Sequence, residues 1–314
     1  MIVSTLLTRL LPVLVALGLG VAARRTALLD GRAVSALKTV VARITLPFVI
    51  LRAFYKAEYS GGTLVVAGFV LLICLVLLGA GYLLRRRFGG VSSLLPFTLT
   101  GFEMGMLGFP LFLLLAGAEH MPSAAVVDLG HEVFVFTLYL FLLRRQTGER
   151  QSLSASLRET AGNPVLLAVF LGLLLGASGL AARMEGGAVM ATLDAVCEFV
   201  SAPTAVLILL AIGYELDFSA LLLRRAATAL LLRLLLVLLV GGGLAFLLFR
   251  FIPYDPYLLL ALMMMLSLPA PFVLPVYSKE ESEKAFLSVF LSLNTLAFIL
   301  LYALLLILKP AIAA

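Results

Sequence analysis

The sequence predicts an all-α membrane protein of ten transmembrane helices, built as two inverted five-helix repeats with broken crossover helices 4 and 9. Three observations predict it: composition, the distribution of basic residues, and an internal repeat. Of 314 residues, 63% are hydrophobic and 13% charged, about half the usual charged share, which excludes a soluble fold. The apolar residues suffice for roughly ten spans of ~20 residues. What remains is spread over short connections and leaves no room for a separate catalytic or nucleic-acid-binding domain. The net charge of +6 arrives as short clusters between apolar runs, so it reads as a topology signal and no nucleic-acid partner is expected. Cys74 and Cys197 each lie inside an apolar run, where a disulfide framework has no use; both are packing residues.

Apolar runs interrupted by charge or glycine clusters place the spans near 3–23, 33–55, 62–84, 92–118, 123–143, 163–182, 187–213, 220–249, 257–277 and 284–308. The first could pass for a secretory signal, ending Val21-Ala22-Ala23, but only Arg9 precedes its apolar core and the run has a counterpart later in the chain. Connections after odd-numbered spans carry fourteen Lys and Arg, among them Arg24, Arg25, Arg85, Arg86, Arg87, Arg144, Arg145, Arg224, Arg225 and Lys284; the opposite side carries six. The positive-inside rule therefore puts the odd connections in the cytoplasm and both termini outside a bacterial-type inner membrane. Trp is absent, so Tyr55, Tyr59, Tyr254 and Tyr257 are the expected interfacial anchors.

Span 1 reads PVLVALGLG from Pro12 to Gly20, and span 6 reads PVLLAVFLG from Pro164 to Gly172, identical at six of nine positions at an offset of 152. Spans 2 and 7 carry central prolines, Pro47 and Pro203, at an offset of 156. Five spans per repeat is an odd number, so the second copy enters from the other side. The repeats are 1–145 and 163–314, joined by a cytoplasmic linker, 146–162. Inverted repeats of this kind point to transport by alternating access. A passive channel usually repeats around a pore by subunit symmetry. The other rival, an intramembrane enzyme, needs a nucleophile with its base, or paired metal-binding aspartates, and no such constellation is found.

Span 4 contains GFEMGMLGFPLF from Gly101 to Phe112, and span 9 contains SLPAPFVLPVY from Ser267 to Tyr277, with Pro269, Pro271 and Pro275 removing three backbone donors. Both helices should break in mid-membrane. Broken helices at matching places in two inverted halves supply half-helix ends as polar groups for a central site, and the N–H groups following Gly108 and Pro271 are expected to attract a substrate carboxylate.

In order and spacing, span 4, LPFVILRAF (Leu46 to Phe54), GNPVLLAVFLGLLLG (Gly162 to Gly176) and LLAIGYEL (Leu209 to Leu216) resemble the auxin efflux carrier family, which includes plant PIN-formed carriers and bacterial malate and malonate permeases. The resemblance covers essentially the whole chain. It implies an elevator-type carrier of the bile-acid symporter superfamily, a homodimer through scaffold spans 1, 2, 6 and 7, with a small organic anion held at crossing helices 4 and 9. The expected substrate-binding set is Glu103, Gly105, Gly108, Pro110, Ser267, Pro269, Pro271, Phe272 and Asn294. Glu103 stands where the family's span 4 commonly has asparagine, and the asparagine often found after the span-9 prolines is missing.

An intramembrane carboxylate is costly unless paired or protonated, which makes Glu103 the expected site of proton coupling; sodium coupling of the bile-acid type is the alternative. Arg43, four residues before Pro47, is the candidate charge partner, for an anionic substrate or for Glu103, and a structural ion pair of Glu103 with Arg43, Arg233 or Lys38 is the alternative. Asp194 with Glu198, and Asp128 with His131 and Glu132, are acidic groupings on helical faces. With one histidine in the cluster and Val135 where an HE pair would need its second, no metal and no cofactor are expected.

Overall fold

A computed structural model describes residues 7–148 and 162–312. Most of the expected linker, 146–162, therefore lies outside the described residues. Among those described, all regular structure is helical: α1 (Leu11–Arg25), α2 (Gly31–Tyr55), α3 (Gly61–Phe88), α4 (Leu95–Thr98), α5 (Met104–Ala116), α6 (Ala118–Gln146), α7 (Pro164–Ala177), α8 (Leu180–Arg183), α9 (Ala188–Glu215), α10 (Ala220–Leu248), α11 (Pro256–Ser267), α12 (Leu274–Tyr277) and α13 (Glu281–Ile312). Each of the apolar runs read from the sequence contains helix, and those at 92–118 and 257–277 are interrupted.

Among the described residues six helices, α2, α3, α6, α9, α10 and α13, are long and apolar enough to cross a bilayer. The shorter apolar helices are short for local reasons. Helix α5 starts only after an unwound stretch ending at Glu103, and α11 stops where Pro269 and Pro271 withhold their donors. Helix α7 opens at Pro164, capped by the Asn163 side chain on Val165 N–H, and ends before Gly179, which is left-handed at φ 68°. Large apolar side chains such as Phe199, Leu221 and Phe246 face outward from the helices, as a lipid-facing surface requires.

The central prolines leave their mark. Pro47 has no N–H for the carbonyl four residues back, and α2 widens into a π turn over Val41–Thr45 just before it. Pro203 sits at a turn that divides α9 into Ala188–Ser201 and Thr204–Glu215.

The two most extensive helix pairings are α1 with α9 and α2 with α7. Both rest on glycine. A Cβ on Gly20 would lie 2.2 Å from the Leu210 carbonyl oxygen, one on Gly213 2.1 Å from that of Leu17, and one on Gly172 2.5 Å from Phe54 Cβ. Backbones approach this closely in membranes because small residues remove the side chains between them. On the far face of the α2–α9 contact, Asp194 accepts bonds from Tyr55 Oη at 2.6 Å and Arg52 Nε at 3.1 Å and pairs with Lys56 Nζ at 2.9 Å, while Glu198 meets Arg52 at 3.3 Å. This acidic pair is thus matched by cations and ties two helices together. Helices α3, α6, α11 and α13 enclose the two breaks in a core that includes Cys74, Phe97, Phe102, Phe109, Met264 and Phe290, all nearly or fully buried.

Basic residues expected to mark topology also cap helix ends. Arg9 and Lys309 donate to the Leu115 carbonyl at 2.8 and 2.9 Å at the C-terminus of α5, and Arg24 donates to the Leu216 carbonyl at 2.8 Å beyond the end of α9. Cations there meet orphan carbonyls and the negative end of the helix dipole.

Candidate functional site

The two unwound stretches cross and bond to each other. Gly101 takes φ +73°, a left-handed conformation that favours glycine, and a Cβ there would press on Pro271 Cγ at 3.0 Å and Tyr139 Cε2 at 3.1 Å. Glu103 N–H donates to the Pro269 carbonyl at 2.9 Å. Its carboxylate accepts from Phe272 N–H at 2.6 Å through Oε2, and from Met106 N–H at 3.3 Å through Oε1 at the start of α5. One side chain therefore joins the opening of α5 to the turn that leads into α12.

The remaining backbone groups at the crossing are met by polar side chains from flanking helices. Asn294 of α13, 1% exposed, accepts from Ala270 N–H at 3.0 Å. Arg233 of α10, also 1% exposed, donates to the carbonyls of Thr98 at 3.0 Å, Gly101 at 2.8 Å and Leu268 at 3.1 Å, and its guanidinium lies 5.1 Å from the centre of the Phe102 ring. Tyr139 Oη donates to the Phe97 carbonyl at 3.0 Å. Unwound backbone inside a membrane is tolerated only with such partners.

Of the residues expected from sequence, the structure brings Glu103, Pro269, Pro271, Phe272 and Asn294 to the crossing. Gly105 is half-buried beside Leu46, and Gly108 packs so tightly on Leu268 that a Cβ would lie 2.8 Å from its Cδ1. Others are placed elsewhere. Pro110 is buried in the body of α5, and Ser267 turns its hydroxyl back to the Met263 carbonyl of its own helix at 2.6 Å. The N–H after Gly108 is not an open donor, because Phe109 N–H closes the π turn onto the Met104 carbonyl; the open end of the half-helix is at Met106 instead. Arg43 is exposed and no ion pair joins it to Glu103, while Lys38 pairs with Glu215 at 3.0 Å. Arg233, read as a partner for Glu103, instead spends its donors on carbonyls. Its role escaped the sequence because the acceptors are backbone atoms, and only its depth in an apolar run marked it.

A cavity of about 660 Å³ opens beside the crossing. Phe272 and Pro275 form part of one wall with Ser288, Ser292 and Thr295 of α13; Arg24, Lys38 and the end of α9 form the other. It contains three cations, Arg24, Lys38 and Lys284, against Glu215 and Asp217. Phe272, whose N–H holds Glu103, is the link between crossing and cavity.

No protein-family model matches the chain. It is 28% identical over 213 residues to an uncharacterized transporter of Methanothermobacter thermautotrophicus, a match covering 66% of this chain and 67% of that protein. It is a transporter-like, multi-pass helical membrane protein.

Proposed function

We propose that the protein is a secondary transporter of a small, carboxylate-bearing organic anion, working by elevator-type alternating access, with Glu103 as a proton-coupling group. The observation that carries this reading is the Glu103 carboxylate bonded to Phe272 N–H across two broken helices. Those amides are the donors a substrate carboxylate would need. While Glu103 is ionised it occupies them itself; once protonated it is a poorer acceptor and releases them, so a proton and an anion enter together.

The pairing of helices supports ten spans in two inverted repeats. Gly20 and Gly172 occupy equivalent places in the two copies, and each meets the partner helix of the opposite copy, α1 on α9 and α7 on α2. These four helices form the scaffold and its homodimer contact in this reading, and the unit around the crossing moves against them. The cavity lies between the two units on the side rich in basic connections, which is the cytoplasmic side of the inner membrane, with both termini outside. The transporter of Methanothermobacter thermautotrophicus that the chain resembles agrees with the reading. The cations around the cavity favour an anion in it.

Purified protein in liposomes tests this. Uptake of labelled mono- and dicarboxylates is expected to accelerate when the side of uptake is acidified, and Glu103→Gln, which keeps an acceptor but cannot ionise, is expected to retain exchange while losing the response to the pH gradient. An unchanged pH response in that variant sinks the coupling role. A dependence on sodium with no effect of pH replaces proton coupling by sodium symport.

A further inference from the structure

A second set of ionisable groups is buried beside the crossing and takes no part in the scheme above. Asp128 of α6 is fully buried, His131 is 4% exposed and Glu132 8%. Phe102 N–H donates to His131 Nε2 at 3.1 Å, so that nitrogen holds a lone pair; the ring proton is then on Nδ1, which donates to Asp128 Oδ1 at 2.9 Å. His131 is fixed as a neutral ring. Asp128 Oδ2 and Glu132 Oε2 are left buried with no hydrogen-bond partner. The two carboxyl groups stand one helical turn apart on the same helix.

The titratable and charged groups facing this cluster are Cys74 of α3, Glu103 ahead of α5 and Arg233 of α10; Tyr257 of α11 stacks on His120 at the start of α6, and Lys38 of α2 acts on Glu103. The Arg233 donors are directed to three carbonyls. Two buried carboxylates side by side with no cation bonded to either cannot both stay ionised. A dehydrated metal cation needs several oxygen ligands, and two orphan oxygens fall short. A proton needs only two.

We propose that Asp128 and Glu132 form a proton-binding site, holding one proton between their carboxyl groups, and that His131 connects this site to the crossing. Loss of that proton leaves two adjacent charges beside an imidazole that donates to Asp128 through Nδ1 and keeps a lone pair on Nε2. Protonation there removes the acceptor for Phe102 N–H, the residue next to Glu103. The site holds its proton whichever solute the carrier moves.

Infrared spectroscopy of the protein in lipid, in H2O and D2O, reads the carbonyl stretch of a protonated carboxyl directly. In Glu103→Gln protein at neutral pH, a band for one protonated carboxyl is expected, and adding the double replacement Asp128→Asn, Glu132→Gln is expected to abolish it. No band in the single variant, or a full band in the triple variant, overturns the proposal. Should the triple variant fail to fold, titrating the single variant decides: a band that vanishes with the exposed carboxyls, near pH 4–5, overturns it, and one that persists well above supports it. Loss of the band leaves the transport reading standing, and absence of carboxylate uptake by the wild type leaves the band standing.

Discussion

Arg233 holds the backbone of both breaks through one guanidinium, because its planar fork presents several donors at fixed angles to carbonyls from Thr98, Gly101 and Leu268. Replacing it with methionine keeps the volume and leaves three buried acceptors without partners, each worth about 1–3 kcal/mol. Arg233→Met should therefore cost on the order of 3 kcal/mol or more, read as a large fall in melting temperature. Arg233→Lys keeps the charge but loses the fork, so its melting point should fall between the two. Glu103 and Arg233 were both legible in the sequence as charges at membrane depth; their partners were not. Acid and base suggest each other on paper, whereas here each is bound to backbone freed by the breaks. Such backbone partners have no residue type to betray them, and they lie up to 169 residues away in the chain. Arg43 shows the converse: proximity to Pro47 made it a candidate, yet the widened turn leaves it exposed.

At the scale of helices, the glycine contacts separate structural from incidental glycine. Gly213→Ala places a methyl 2.1 Å from the Leu17 carbonyl oxygen, in the closest part of the α1–α9 pairing, whereas Gly18→Ala meets nothing within 4 Å. The first should cost about 1–3 kcal/mol through forced separation of the helices, and the second should leave the melting point unchanged or raise it slightly through helix propensity. Equal melting points for the two variants would contradict the packing. The helices themselves were readable in the sequence: hydrophobic runs marked where helices lie, six of them among the described residues long and apolar enough to cross a bilayer, and Gly101, Pro269 and Pro271 marked the breaks. What sequence placed less well was the start of α5. Three glycines in GFEMGMLGFP leave several possible N-termini, and the one used begins at Met104, because the Glu103 side chain caps Met106 N–H and the following turn widens to pass Gly105 and Gly108.

For the molecule as a whole, the cavity's place among basic connections predicts its sidedness. Both native cysteines are fully buried, so the wild-type protein should resist a membrane-impermeant maleimide, and Ser288→Cys, on the cavity wall, should react from the cytoplasmic face. Labelling from the external face alone would reverse the orientation. Repeat, charge asymmetry and broken spans were visible in sequence because they depend on residue type and spacing. Dimensions of the cavity and the occupant of the half-helix ends depend on side-chain direction, which spacing does not specify. That occupant has a further consequence. Since Glu103 already satisfies Phe272 N–H and Met106 N–H, a ligand that takes these amides gains only the difference between its own bonds and those it displaces. In the proposed transport reading, the expected outcome is a modest net affinity and quick release, measurable as a high half-saturation concentration for uptake.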